Sequence, residues 1–362
     1  MNHLIVGHFG GKNTGDEAML SGLLTLIDKK DNVQILTKRI EALSWVDEHI
    51  VVTEEAGHLN RFRHITKSHD NVIFCGGTHF HDDYKPIRLI RHWVYLILQI
   101  LLVSKAKMLG CRVLVIGNGF GPLKYWPTKI LTKVFCAIAD CVTVRDKSSS
   151  SELNNLGFTK HELQGDLALL NAYDKKQIHP SGVLGVSVTN QSGYQRFLEN
   201  SDYLNRLLTV IRSVAHQKSI SSIKIVVVRG GTVESDRPLS VELLSKLKNE
   251  GFSVELVEHS DNPSTAIEAI GSCSVFLGAR FHSVLLSLLT EVPEIGIIPY
   301  HSKLNSLAAD TKLLPNMIDI YKHPFVFDIN YFNPKVESVT WDSLQSITEQ
   351  SKSLVKKVIY AA

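Results

Sequence analysis

Five cysteines are all that 362 residues carry, and Cys75, Cys111, Cys136, Cys141 and Cys273 include no CxxC pair. That spacing excludes a zinc-ribbon pattern and gives no disulfide framework, so reduced thiols of a cytoplasmic protein are expected. Net charge is nearly lacking as well. The balance of 39 Lys and Arg against 36 Asp and Glu leaves +3, too little to suggest a nucleic-acid partner. The apolar stretch Trp93–Val103 spans eleven residues, where crossing a bilayer takes about 20. There is no internal repeat and no low-complexity segment. Met1-Asn2-His3 runs straight into a strand-like segment, so no signal peptide is expected ahead of the fold.

One local absence stands out. From Lys85 to Ala139 there are nine Lys and Arg and no Asp or Glu. This stretch contains RLIRHWVYLILQILLVSKAK, which reads in two ways. It is either a buried helix of an α/β layer, or a helix resting on an anionic membrane with Arg88, Arg91, Lys105 and Lys107 toward the headgroups. On the second reading, residues 85–133 make a peripheral membrane contact.

What is present is a regular alternation. The runs Leu4–Val6, Val33–Leu36, Val72–Cys75, Val113–Ile116 and Cys141–Val144 are short, rich in Val and Ile, and separated by helical stretches. Such runs suit parallel strands buried on both faces. After Asp166 the chain loosens through a polar linker with Pro180 and Gly182. The pattern then restarts at Val183–Val188, Ile223–Val228, Val254–Val257, Val275–Gly278 and Ile295–Ile298. Two α/β doubly wound domains are therefore expected, with a boundary in 172–182 and their strand ends facing across a cleft. The assigned spans are 1–175, 176–335 and a terminal amphipathic helix in 336–362, capped by Asp342 and packing back on the first domain.

Ligands of such folds bind beyond the carboxyl ends of strands. The first such loop is GHFGGKNTGDEAML, Gly7–Leu20. It matches neither a Walker loop, which needs Lys at 16, nor a dinucleotide fingerprint. Thr14 and Glu17 fit a capping box. Gly10, Gly11, Asn13 and Asp16 make an open polar lip suited to hydroxyls, which an acid can bind and a triphosphate would be repelled by. The loop GGTHFHDDY after Cys75 offers Gly76 and Gly77 for close backbone approach. His79, His81, Asp82 and Asp83 follow, at spacings that match no standard metal site. IGNGFGPL is a third loop, and VRDKSSSSEL, with Arg145 and Asp146, a fourth. In VFLGARFHSVLLSLL, Arg280 and His282 open a helix. A helix N-terminus with an arginine and an imidazole forms an anion site with a proton donor. IIPYHSKL adds Tyr300, His301 and Lys303, and VVVRGGTVESDR adds Arg229 and Asp236.

Together, GGKNTGDEAM, GGTHFHDD, GNGFGPL, VRDKSSSSEL with GDLAL, and GARFHSVLLSLL with YHSKL resemble the polysaccharide pyruvyl transferase family, in family order over residues 4–310. Thr78 and His79 stand where the family loop is usually richer in glycine. The resemblance implies two Rossmann-like domains similar to GT-B glycosyltransferases. It also implies transfer of the pyruvyl group of phosphoenolpyruvate onto two hydroxyls of a sugar, forming a cyclic ketal. Phosphoenolpyruvate is then a co-substrate, with no cofactor and no metal. The expected catalytic pair is His282, as general acid, and Arg280. Arg145, Arg280, His282, Ser283 and Lys303 bind the donor, and Asn13, Asp16, Gly77 and His79 bind the acceptor. The expected acceptor is a sugar or lipid-linked oligosaccharide at the cytoplasmic face of the membrane. A GT-B glycosyltransferase using a nucleotide sugar and a non-catalytic glycan-binding homologue are the alternatives.

Overall fold

The computed structural model describes residues 1–55, 57, 60–82, 86–173, 182–190, 198–231 and 235–361. Asp83, Lys85 and the linker at 174–181, with Pro180 and the expected boundary at 175/176, lie outside the described residues. The chain divides into two compact units. The first comprises Met1–Gly11, Asp16–Asn171 and Ser346–Ala362; the second comprises Lys12–Gly15 and Ala172–Gln345.

The first unit is built on a parallel sheet. Its strands are β1 (Asn2–Val6), β2 (Asn32–Thr37), β3 (Val51–Glu54), β4 (Asn71–Cys75), β5 (Arg112–Asn118), β6 (Cys141–Val144) and β7 (Glu162–Leu163), in spatial order β3-β2-β1-β4-β5-β6-β7. The central strands are buried on both faces, as the unbroken Val/Ile runs require. Strands β3 and β7 left no such run in the sequence because they are the exposed edges. The order reverses between β1 and β4, so the loops after these two strands open at the switch point.

Helices α1 (Thr14–Leu24), α2 (Arg61–His64), α3 (Pro86–Met108), α4 (Trp126–Ile138) and α5 (Lys147–Asn155) connect the strands. The α3 segment Arg88–Met108 is, by length and composition alone, long and apolar enough to cross a membrane, which corrects the count based on its eleven-residue core. It instead lies on the sheet, with Leu96, Leu102, Val103 and Ala106 fully buried among residues of β4, β5 and β6. Lys105 donates to the Phe62 carbonyl and Lys107 pairs with Asp140 at 2.6 Å, so these two cations are engaged within the unit.

The second unit carries β8 (Val183–Val186), β9 (Ser222–Val226), β10 (Ser253–Val257), β11 (Val275–Gly278) and β12 (Glu294–Ile297), all parallel, in order β10-β9-β8-β11-β12. Its helices are α6 (Asn200–Gln217), α7 (Arg237–Asn249), α8 (Pro263–Gly271), α9 (Phe281–Leu289) and α10 (Ser302–Asp310). The core joins β8, β9 and β11 to the apolar faces of α6 and α7 through Leu184, Ile225, Leu277, Leu207 and Leu243. Here the switch point lies between β8 and β11.

The terminal helix, α11, runs over Ser338–Tyr360, so Asp342 lies inside it and is not its cap. From Ser346 onward its residues belong to the first unit. Arg112 donates to the carbonyls of Val358 and Ile359, and the Tyr360 hydroxyl donates to Asp31 at 2.7 Å.

Candidate functional site

In the second unit, β11 delivers the chain to Arg280, whose extended backbone (φ −116°, ψ 145°) caps α9. Ser283 closes this turn. Its hydroxyl accepts from the Arg280 N–H at 3.2 Å and donates to the Arg280 carbonyl at 2.8 Å. It also lies 2.7 Å from the Ser187 hydroxyl, which accepts from the Ala279 N–H. Ser283 is fully buried and builds the turn at the β8/β11 switch point.

The Arg280 guanidinium grips one carboxylate with two bonds: Nε meets Asp236 Oδ2 at 3.0 Å, and Nη2 meets Oδ1. Such fork-to-fork pairing fixes both position and plane. Asp236 is 1% exposed and also accepts from the Asn190 N–H at 2.8 Å. The guanidinium carbon lies 5.7 Å from the centre of the Tyr300 ring.

His282 occupies the first turn of α9. Its ring lies directly on Gly15, where a Cβ would fall 2.0 Å from Nδ1. The Lys12–Gly15 turn is held by backbone pairing with the segment after β9. Thr14 donates to the Val228 carbonyl, Gly230 donates to Lys12, and Asn13 bridges Arg229. Asn13 Oδ1 accepts from the Gly15 N–H at 3.4 Å, so α1 begins one residue earlier than the capping-box reading placed it. Glu17 accepts from the Gly10 N–H at 2.7 Å.

The next helix repeats the geometry. His301 caps α10, its Nδ1 accepting from the Lys303 N–H at 3.1 Å. Because β11 and β12 are neighbours, the N-termini of α9 and α10 lie at adjacent strand ends. Both present partial positive charge there.

One residue of this region was missed in the sequence. His259 follows β10, with Nδ1 3.2 Å from the Thr14 hydroxyl and Nε2 3.5 Å from Asp261. Its strand-end position was the available signal.

In the first unit, the loop after β4 gathers three of the expected acceptor residues. A Cβ at Gly77 (φ +74°) would lie 3.4 Å from His79 Nε2 and 3.7 Å from Asp16 Oδ1. His79 Nδ1 is 2.9 Å from the Tyr95 hydroxyl, and its ring stacks on His8 with centroids 4.2 Å apart. His8 follows β1, so this imidazole pair sits at the β1/β4 switch point. Asn13, expected with this set, is grouped with the second unit.

Arg145 is no surface residue. At 7% exposure, it contacts Asp146 at 3.0 Å, Asp166 at 3.7 Å and the Thr78 hydroxyl at 3.2 Å. Asp146 caps α5 by accepting from the Ser149 N–H. Burial acts to raise the Asp146 pKa, but the Arg145 charge and the bonds from Ser149 outweigh it and hold the carboxyl below its ordinary range.

Asp82 accepts the backbone N–H groups of Lys124 and Tyr125, which makes it a turn anchor. Among the described residues, no group of three or more His, Cys, Asp or Glu side chains is placed to hold a metal ion. The five cysteines are free thiols, and burial pushes Cys141 up to about 11 and Cys273 up to about 12.

These two units define a class: paired doubly wound α/β architecture shared with nucleotide-sugar enzymes of known structure. A UDP-N-acetylglucosamine 2-epimerase of Neisseria meningitidis, solved with UDP-GlcNAc, is similar over 99% of this chain and 100% of its own, with TM-score 0.60 and 14% identity. A putative UDP-N-acetylglucosamine 2-epimerase of Listeria monocytogenes covers 100% and 95%, with TM-score 0.58 and 10% identity. The Anabaena protein HepE, solved with UDP and glucose, covers 99% of each chain with TM-score 0.55 and 11% identity. At these identities the likeness speaks for the fold alone. No curated protein matches the sequence. The sequence profile of the family Polysaccharide pyruvyl transferase matches residues 13–302, and the chain belongs to that family of transferases.

Proposed function

We propose that the protein transfers the pyruvyl group of phosphoenolpyruvate onto two hydroxyls of a sugar in a cell-surface glycan or its lipid-linked precursor, at the cytoplasmic face of the membrane. The carrying observation is the seat of His282: first turn of α9, ring against Gly15, beside the Arg280–Asp236 pair. This seat joins the N-x-G-D and G-x-R-x-H motifs, which lie at opposite ends of the matched span.

The donor carries a phosphate and a carboxylate. The adjacent N-termini of α9 and α10 offer backbone N–H groups to both, with Lys303 and Arg229 adding charge. Arg280, locked on Asp236, is a positioning residue that fixes the α9 entrance. The first unit binds the sugar through Asp16, the Gly77 backbone and His79, with Arg145 holding Thr78 in place.

In the reaction, protonated His282 gives its proton to the methylene carbon of the donor, leaving the adjacent carbon electron-poor. The first sugar hydroxyl attacks that carbon and its proton passes to His282. Phosphate then departs with the electron pair of its C–O bond as the second hydroxyl closes the ring. The second hydroxyl proton leaves with phosphate, so charge and atoms balance without metal or cofactor. General acid–base catalysis of this kind contributes on the order of 10²–10⁴-fold.

The test is thermal stability with phosphoenolpyruvate beside UDP and GDP. A ligand at a hundred times its Kd adds about 2.7 kcal/mol of stability. A shift with phosphoenolpyruvate, weakened in Lys303→Ala and retained in His282→Gln, is expected. A shift with a nucleotide alone would overturn the reading in favour of a nucleotide-sugar transferase.

A further inference from the structure

The outer layer of the first unit carries an apolar surface that the transfer chemistry does not use. On α3, Ile90, Val94, Ile97, Leu101 and Met108 are 46–85% exposed. Their spacing of four, three, four and seven puts them on one line along the helix, opposite the buried Leu89, Leu96 and Val103. On α4, Trp126, Ile130 and Val134 repeat at intervals of four, with Trp126 72% exposed and Tyr125 just ahead of it. The two helices pack side by side, joined by the Trp93 indole donating to the Thr128 hydroxyl at 2.9 Å. Contiguous exposed apolar surface on this scale marks an interaction site.

Charge selects the occupant. Arg88, Arg91, Lys124, Lys129 and Lys133 are exposed around the apolar rows, and the sequence holds no acid between residues 85 and 139. A second copy meeting this face across a two-fold axis would bring these cations against one another. An anionic bilayer meets both requirements: headgroup phosphates for the Lys and Arg, acyl chains for the aliphatic rows, and an interfacial depth suited to Trp126 and Tyr125.

We infer that the α3–α4 face docks on an anionic lipid surface, lying in the headgroup plane and not spanning it. The placement also bears on the acceptor. Tyr95, bonded to His79, sits between Val94 and Ile97 on α3, so one hydrogen bond links this helix to the loop after β4. The docking face stands independently of the pyruvyl-transfer reading, and the phosphoenolpyruvate shift tests that reading separately.

The experiment is flotation of the full-length protein with phosphatidylcholine vesicles and with phosphatidylcholine–phosphatidylglycerol vesicles, at low and high salt. Binding to the anionic vesicles alone, weakened by salt, is expected. Lys129→Glu with Lys133→Glu should lower the partition coefficient at least about fivefold per cation. Trp126→Ser with Ile130→Ser should lower it further, and both pairs should melt like the parent because the side chains are exposed. Three outcomes would overturn the inference: no binding to either vesicle, equal binding to both, or a dimer in sedimentation velocity that the Trp126 and Ile130 changes convert to monomer.

Discussion

The imidazole of His282 rests on the α-carbon of Gly15, a residue 267 positions earlier, with no room for a methyl group between them. Gly15→Ala must therefore displace either the His282 ring or the Asn13–Asp16 turn. Misplacing a catalytic group by about 1 Å costs on the order of 10²-fold in rate. Phosphate release from phosphoenolpyruvate with a glycan acceptor should fall by that order in Gly15→Ala while the fold persists. Unchanged turnover in both Gly15→Ala and His282→Ala would remove His282 from the mechanism.

Arg280 and Asp236 are both buried and each satisfies the other. Breaking a buried ion pair by removing one partner typically costs about 3–5 kcal/mol. Asp236→Ala should lower the melting temperature strongly. Replacing both residues with apolar side chains should recover much of the stability and none of the activity.

Arg145 stacks on Gly119, where a Cβ would lie 3.0 Å from the guanidinium carbon and 2.8 Å from the Thr78 hydroxyl. Gly119→Ala should push one of them away. Arg145→Lys keeps the charge and loses the planar fork that reaches Asp146 and Thr78 together. Each change should reduce turnover by roughly ten- to a hundredfold. A loss confined to KM for phosphoenolpyruvate would move Arg145 to the donor.

His92 on α3 is held down to about 4 from its ordinary 6.5, chiefly by burial, with Arg88 adding to the shift and Asp82 opposing it. The folded state thus binds this proton less readily than the unfolded chain. Its contribution is complete above about pH 6.5 and is lost as pH falls toward about 4, at most about 1.4 kcal/mol per pH unit. Chemical denaturation across that window should show stability falling with acid, and His92→Phe should flatten the slope.

The two doubly wound units were legible from the alternation of Val/Ile runs with helices, because a strand buried on both faces must be continuously apolar. The edges β3 and β7 were not, since a half-exposed strand carries no such constraint. The glycine turns were likewise local, and the sequence held them. The start of α1 was off by one residue because Asn13 and Thr14 are both good caps, and the choice rests on pairing with Val228 and Arg229.

The sequence by itself determined which residue types stand at strand ends: Arg280 and His282 after β11, Gly77 and His79 after β4, Arg145 after β6. Only the tertiary structure decided their partners. It gave Arg280 to Asp236, Arg145 to Asp146 and Thr78, His79 to His8 and Tyr95, and Gly15 to His282. Periodicity records which face of an element is buried. Strand order and side-chain direction decide which distant residue it is buried against, and these arise only when the whole sheet is assembled.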